Sequence, residues 1–319
     1  MLLISRNHDA TVFLNGTKIT PSADWADTDT LVPCFKTSTQ SLKQGSNTLA
    51  VHSQDADGAV PIEVGIWATQ DESFGRKELL KEFAALIEKE PQRPDLYSGQ
   101  ASVFARLGRW AEAIASLKKA IEFKPSAITY YQLGPLLLET GDSPAYERLR
   151  REALDRFAAS PDPDAAEAVC KLSLLAPADP GQCANAAKLA NDADTNDDRH
   201  LTICLRHQLK ALAEFRQDHF EAALKWLDQA ISAALRTDLP GWNHERERDR
   251  LAAAYLLQAM AHHKLKHPAD AQAQMGKATA ILETELPRVE DGDIGREWPD
   301  WLIVHILLRE ARALTQSVF

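Results

Sequence analysis

The segment GRWAEAIASLKKAIEFKP, residues 108–125, decides the fold of this 319-residue chain. Within it Ala113, Leu117 and Ala120 recur at intervals of three and four residues, the spacing of one face of an α-helix. Gly108 and Pro125 stand at its two ends, where turns are expected. A second helical face precedes it, and its large and small residues are Tyr97, Ala101 and Phe104. Small residues let two helix backbones approach, and large ones fill the space beside them, so the segment predicts a tightly crossed helix pair.

Residues 94–127 resemble a tetratricopeptide repeat at its aromatic, small, glycine, alanine and proline positions. Weaker copies run over 204–237 and 252–285, with Asp218 and Lys266 where glycine is usual. Half of a degenerate copy follows Tyr130, and 163–192 is predicted to be a shorter helix pair. The resemblance implies a mainly α, TPR-like α-solenoid of about five or six helix pairs. A terminal helix, from Trp298 to Ser317, is expected to cover the last pair.

The first 70 residues have a different periodicity. Strand-forming residues up to Leu14 lead into Asn15-Gly16, a pair typical of a tight hairpin turn, and alternating apolar residues return at 49–51 and 62–66. We therefore predict a small antiparallel β segment over 1–70 and a helical repeat domain over 71–319. Asp71 or Ser73 is expected to cap the first helix.

Two further resemblances concern larger proteins. DATVFLNG at 9–16, SLKQGSNTLAVH at 41–52 and IEVGIWA at 62–68 resemble the C-terminal half of a galactose-binding-like jelly-roll domain. This implies a partial jelly-roll fragment and a chain that begins inside a longer reading frame. The run that begins at Tyr130 is similar in style to the repeat tails of planctomycete-type bacterial serine/threonine kinases, but the sequence contains no kinase motif, so that activity does not transfer.

Composition excludes several classes of protein. The 36 Lys and Arg residues against 46 Asp and Glu give a net charge of -10, which argues against binding to nucleic acid. No apolar run approaches the roughly 20 residues of a membrane-spanning helix, and the absence of a secretory signal favours the cytoplasm. None of the four cysteines forms a CxxC pair, so we interpret them as separate thiols.

Neither a catalytic set nor a metal site is predicted. His263 and His267 have a workable ligand spacing, but Lys264 and Lys266 flank the segment and the metalloprotease glutamate is missing. The run 192–198 begins like a calcium loop but lacks its glycine and its terminal glutamate. We therefore expect no enzyme activity, no cofactor and no metal.

The repeat resemblance implies a protein-interaction scaffold that binds a protein or peptide in a concave groove. Cations stand at one repeat position in each clear copy, which predicts an acidic and apolar partner segment whose approach they would accelerate. Two other functions stay open: the C-terminal part of a carbohydrate-binding or glycoside-processing protein, and a kinase regulatory tail. The predicted groove residues are Arg106, Gln208, Leu212, Phe215, Arg216, Leu256, Met260, His263 and Lys264.

Overall fold

The protein is mainly α-helical, as predicted, and it divides into two compact units. The first unit comprises Met1–Phe123 and Arg288–Asp293, and the second comprises Lys124–Pro287 and Ile294–Phe319. The change from strands to helices falls between Ala68 and Phe74, so the first unit includes both kinds of element. The computed structural model describes residues 2–6, 10–18, 34–37, 43, 46–53, 64–68, 74–160, 162–192, 203–237 and 244–316.

Among the described residues of the first unit, six strands form two three-stranded antiparallel sheets, with the orders β4-β1-β6 and β3-β2-β5. Asn15 and Gly16 join β2 to β3 with φ angles of 53° and 83°, the two positive values that a type I′ hairpin turn requires. The predicted hairpin is therefore confirmed. The strands are β1 (Leu2–Arg6), β2 (Ala10–Leu14), β3 (Thr17–Lys18), β4 (Cys34–Thr37), β5 (Leu49–Ser53) and β6 (Val64–Ala68).

The described residues contain twelve α-helices, and ten of them form five consecutive pairs. α1 (Phe74–Lys89) packs against the first helix of the first pair, and α12 (Trp298–Gln316) follows the last pair. The pairs are α2 (Pro94–Arg106) with α3 (Trp110–Phe123), α4 (Ala127–Glu139) with α5 (Ser143–Phe157), α6 (Pro163–Leu174) with α7 (Pro180–Asp192), α8 (Ile203–Arg216) with α9 (Phe220–Ala234), and α10 (His244–Lys264) with α11 (Pro268–Thr284).

Four of the pairs share one turn geometry, which confirms the predicted repeat register. Gly108, Gly141, Asp218 and Lys266 have φ angles of 71°, 77°, 62° and 60°, respectively. In each turn the next residue donates its N–H to the carbonyl five residues back, as Arg109 does to Phe104 at 2.9 Å. This is the Schellman motif, which satisfies carbonyls that the end of a helix leaves unpaired. Asp218 and Lys266 adopt the left-handed conformation without being glycine, at a cost of about 1 kcal/mol each.

The same turn leads directly into the second helix of each pair, and this places a buried residue at the crossing. Ala113 and Ala223 are completely buried there, and Ala271 is 5% exposed. The α4/α5 pair has Tyr146 at this position, and its hydroxyl donates a hydrogen bond to the Leu172 carbonyl at 2.5 Å. α4 packs closely on α6 instead, because Gly134 lacks a Cβ that would lie 2.2 Å from Leu172 Cδ1. In the degenerate α4/α5 pair, the close approach between helices is therefore that of α4 to α6.

Some side-chain predictions need correction, and others fall outside the described residues. Trp110 and Trp226 fall at helical repeat spacings, which predicts core positions for them, but both are only partly buried. Lys210 Nζ lies 4.7 Å from the Trp226 ring centroid. α12 packs on α4 as well as on α10, so it does more than cover the last pair. The predicted caps Asp71 and Ser73, and most of the calcium-like run 192–198, lie outside the described residues.

Candidate partner-binding face

The C-terminal helix, α12, packs on one side of the first helices of the pairs in the second unit. α12 packs on α4 and α10, and its polar side chains reach α6 and α8. Its apolar residues Trp298, Leu302 and Leu307 are at most 1% exposed. We call this side of α4, α6, α8 and α10 the first-helix face. The chain therefore seats its own helix on the face where the sequence predicts a partner.

Asp300 anchors the N-terminal end of α12. Its carboxylate accepts a 2.9 Å hydrogen bond from the Tyr131 hydroxyl on α4 and lies 3.5 Å from Lys171 Nζ on α6. Burial by itself would raise the pKa of Asp300, but Lys171, Arg250 and the bond from Tyr131 hold it below its ordinary value. Burial, together with the Asp300 charge, raises the pKa of Tyr131. Asp300 is thus held ionised in the protein interior.

Glu310 anchors the other end of α12 through Arg216, the last residue of α8. The guanidinium forms a two-pronged contact with the carboxylate, in which Nη2 lies 2.8 Å from Oε2. The same side chain donates to the Leu174 and Leu175 carbonyls at the end of α6, at 2.9 Å and 3.1 Å. Because the Arg216 side chain is only 4% exposed, this contact is screened little by solvent. Arg216 therefore ties together α6, α8 and α12.

Apolar residues lie between these two anchors. Leu209 and Leu212 of α8 and Ile303 and Leu307 of α12 line a cavity of about 40 Å³. Asp300, Ile303, Leu307 and Glu310 are spaced by three, four and three residues, which places them on one face of α12. The seated helix therefore presents an acidic, apolar, apolar and acidic pattern to the first-helix face.

A group of buried charges borders the cavity. The pKa of Asp249 is raised to about 7, mainly by burial, with a smaller rise from the Asp300 and Glu297 charges and an opposing effect of the contact with Arg248. Arg250 Nη1 donates to Glu247 Oε1 at 3.0 Å. Buried ion pairs of this kind contribute little net stability, but each charge becomes costly when its partner is removed. Both ion pairs lie within α10, on the side that borders the cavity.

The buried cysteines have little reactivity in this environment. Cys170, Cys183 and Cys204 are free thiols in the interior, as predicted for separate cysteines. Burial raises the pKa of Cys204 to about 12 and raises that of Cys170 strongly. The thiolate is the nucleophilic form, so these side chains stay protonated at neutral pH.

The structure places most of the predicted groove residues in the interior. Leu212 lines the cavity beneath α12, and Gln208 Nε2 donates to the Arg250 carbonyl at 3.3 Å. Phe215, Leu256 and Met260 are at most 5% exposed. His263 is partly buried and Lys264 is exposed. Sequence reasoning missed Tyr131, Lys171, Asp300 and Glu310, although the period of α12 carries a signal for the last two.

Arg106, at the corresponding position in the first unit, is also engaged by a carboxylate. Its Nε and Nη2 atoms donate to the two Asp293 oxygens at 2.9 Å each. Arg76 contacts the same carboxylate, and the Arg106 side chain is 12% exposed. Arg106 and Arg216, two of the three predicted partner-binding cations, are thus each paired with an acidic residue of the C-terminal part of the chain.

The histidines near the end of α10 are arranged differently from the pair that the sequence suggested. His262, rather than His263, faces His267, with ring centroids 5.9 Å apart. Among the described residues, His262, His267 and Asp270 form a set whose potential ligand atoms all lie within 4.8 Å of one another. With His262 in place of the neighbouring His263, the set thus contains two imidazoles and the Asp270 carboxylate.

The repeat geometry agrees with the comparison to known protein families. Residues 94–126 match the tetratricopeptide repeat. Tetratricopeptide repeat protein 13 of Homo sapiens is 38% identical over 63 residues, which are 20% of this chain and 7% of that protein. The chain thus matches a small part of the length of this curated relative.

The structure also resembles solved tetratricopeptide structures at low overall similarity. The APC/C hetero-tetramer Cut9-Hcn1 is 16% identical with a TM-score of 0.45, over 74% of this chain and 39% of that one. YrrB, a TPR protein with an unusual peptide-binding site, is 15% identical with a TM-score of 0.36, over 64% and 93%. MamA of Desulfovibrio magneticus is 14% identical with a TM-score of 0.33, over 66% and 87%.

The helical part of the chain has a TPR-like architecture, an array of paired helices. Within the described ranges, every helix is too short or too polar to cross a lipid bilayer. The resemblances of 9–68 to a jelly-roll domain and of the run from Tyr130 to kinase tails stay predictions.

Proposed function

We propose that this protein binds an acidic and apolar segment of a partner protein on the first-helix face of the second unit. The observation that carries the proposal is the chemistry of α12, the helix already seated there. Its carboxylates Asp300 and Glu310 contact Lys171 and Arg216, and apolar residues lie between them. A partner segment with the same spacing offers the same contacts.

Binding on this face requires the partner to compete with α12. The apparent affinity for a partner equals the intrinsic affinity multiplied by the fraction of molecules in which α12 has left this face. A change that loosens α12 therefore raises the apparent affinity for a competing segment. The surrounding cations act mainly on the association rate, since they attract an acidic segment from a distance. His263 and the exposed Lys264 lie at the end of α10 and extend the proposed site. The predicted groove residues in the second unit are Gln208, Leu212, Phe215, Arg216, Leu256, Met260, His263 and Lys264. Arg106 lies in the first unit, where it is paired with Asp293.

A peptide that copies α12 tests the proposal. A fluorescein-labelled peptide of residues 296–316 is titrated into the full chain, and binding is followed by fluorescence anisotropy. We expect E310Q in the chain to strengthen peptide binding about threefold or more, because it weakens the resident helix. E283Q is the matched control, since Glu283 is exposed on α11, and it should leave the affinity unchanged.

The charge dependence supplies the second arm of the experiment. A peptide with both D300N and E310Q is expected to bind about tenfold more weakly, and the preference for the acidic peptide should shrink between about 50 and about 300 mM salt. Equal binding of the acidic and neutral peptides, or equal affinities of E310Q and E283Q chains, would contradict the proposal.

A further inference from the structure

The turn between α10 and α11 gathers three side chains that commonly bind metal ions. His262 lies in the last turn of α10, His267 precedes α11, and Asp270 lies in the first turn of α11. One potential ligand atom from each lies within 4.8 Å of those of the other two. His262 is partly buried, and His267 and Asp270 are exposed, so an ion could reach the three from solvent.

The backbone fixes this arrangement. Lys266 has a φ of 60°, and the His267 N–H donates to the His262 carbonyl at 2.9 Å. The Schellman turn therefore holds the two imidazoles close together, with ring centroids 5.9 Å apart and the ring planes tilted by 44°. A site built on such a turn needs little reorganisation to close around an ion.

The corresponding turn between α2 and α3 shows what these three positions do in another copy. Phe104, Arg109 and Glu112 occupy them, and the guanidinium carbon lies 4.5 Å from the ring centroid. Arg109 Nε also donates to Glu112 Oε1 at 2.9 Å. In that copy a cation is held between an aromatic ring and a carboxylate. The α10/α11 turn has an aromatic ring at His262 and a carboxylate at Asp270 in the same places, but His267 stands where the α2/α3 turn has its arginine.

One polar atom of the histidine set is left unsatisfied. Within the part of the chain that the structure describes, the buried Nδ1 of His262 has no hydrogen-bond partner. A buried polar atom without a partner destabilises the folded chain, and an ion or water bound at that atom would relieve this. The turn thus combines a histidine that has an unsatisfied ring nitrogen with two further potential ligand residues.

We propose that His262, His267 and Asp270 bind a Zn²⁺ ion. Two imidazoles and one carboxylate are ligands that zinc accepts, with water in the fourth position of a tetrahedral site. The Asp270 carboxylate supplies the negative charge of the site, and the exposed side chains of Lys264 and Lys266 extend into solvent. The ion would clamp the end of α10 to the start of α11.

Calorimetric titration of the metal-free full chain with zinc chloride at neutral pH tests this site. The variant H267R/D270E introduces the Arg–Glu pair found at the α2/α3 turn, so it should keep the turn intact while weakening zinc binding at least tenfold. H263A is the matched control, because His263 is the neighbouring histidine outside the set, and it should bind zinc as the unmodified chain does.

Thermal melts provide a second readout and separate loss of the site from loss of the fold. Zinc should raise the melting midpoint of the unmodified chain and of H263A by about 2 °C or more, and leave that of H267R/D270E unchanged. The melting midpoints of the three proteins should agree in the absence of zinc. Absence of zinc binding to the unmodified chain, an equal loss in H263A, or retained binding in H267R/D270E would overturn the proposal.

Discussion

Replacing Arg216 with methionine should destabilise the protein far more than replacing a surface arginine. The substitution keeps much of the side-chain volume but removes every donor of the guanidinium. Glu310 then loses its partner at the end of α12, and the Leu174 and Leu175 carbonyls lose their donors at the end of α6. Three helices are affected by one change.

The expected cost follows from the burial of these groups. Removing one partner of a buried ion pair costs about 3–5 kcal/mol, because the remaining charge stays buried without compensation. The Glu310 side chain is 18% exposed, so water replaces part of the lost contact and the lower end of that range applies. We therefore expect the free energy of unfolding to fall by about 3 kcal/mol in R216M. E310Q keeps an acceptor for Arg216 and should cost about 1–2 kcal/mol.

Urea unfolding followed by circular dichroism measures these differences. The control is R156M, because Arg156 pairs with Glu152 across one helical turn and its side chain is 46% exposed. Exposed pairs of this kind contribute about 0.3–0.5 kcal/mol. If R216M lowers the free energy of unfolding no more than R156M does, the three-helix role assigned to Arg216 is wrong.

The helix crossing and the buried carboxylate give two further predictions. Leucine at the fully buried Ala113 should overpack the α2/α3 crossing and lower the free energy of unfolding by about 1–3 kcal/mol, measured in urea melts. Leucine at the exposed Ala115 on the same helix should be nearly neutral. Equal urea midpoints for the two variants would contradict the predicted register. The raised pKa of Asp249, about 7 against an ordinary 3.8, means that its contribution to stability is fully present below about pH 4 and is lost as the pH rises towards 7. D249N should remove this loss, so the free energy of unfolding of the variant, relative to that of the unmodified chain, should rise by roughly 1 kcal/mol per pH unit over that interval. If the two free energies changed in parallel with pH, Asp249 would not titrate there.

The burial of Ser116 corrects what helical spacing alone indicates for α3. The spacing predicts that Ser116 is exposed, but it is only 6% exposed, and its hydroxyl donates to Gln100 Oε1 at 2.8 Å. The face of α3 that contacts neighbouring helices is therefore wider than the alanine stripe alone indicates. Ala115 is the suitable exposed control because it matches Ala113 in residue type.

Local patterns determine the elements and the turns of this protein. The spacing of Ala113 and Leu117 predicts a helix face, and the same markers locate the later copies, whose turns at Asp218 and Lys266 adopt the expected left-handed conformation. Asn15-Gly16 likewise predicts its own hairpin. These features depend on residues a few positions apart, so their physical causes are contained in short stretches of chain.

The sequence by itself therefore determined the helix pairs, their register and the strand-rich start. Only the tertiary structure decided that α12 lies on the first-helix face, because the contacts of Asp300 with Lys171 and of Glu310 with Arg216 join residues about 90 to 130 positions apart. It also decided that His262, rather than His263, faces His267, since the exact winding of the last turn of α10 sets which imidazole points there. Periodicity identifies the face of a helix that is buried, but the identity of the element that covers it depends on how distant helices complement one another in shape and charge.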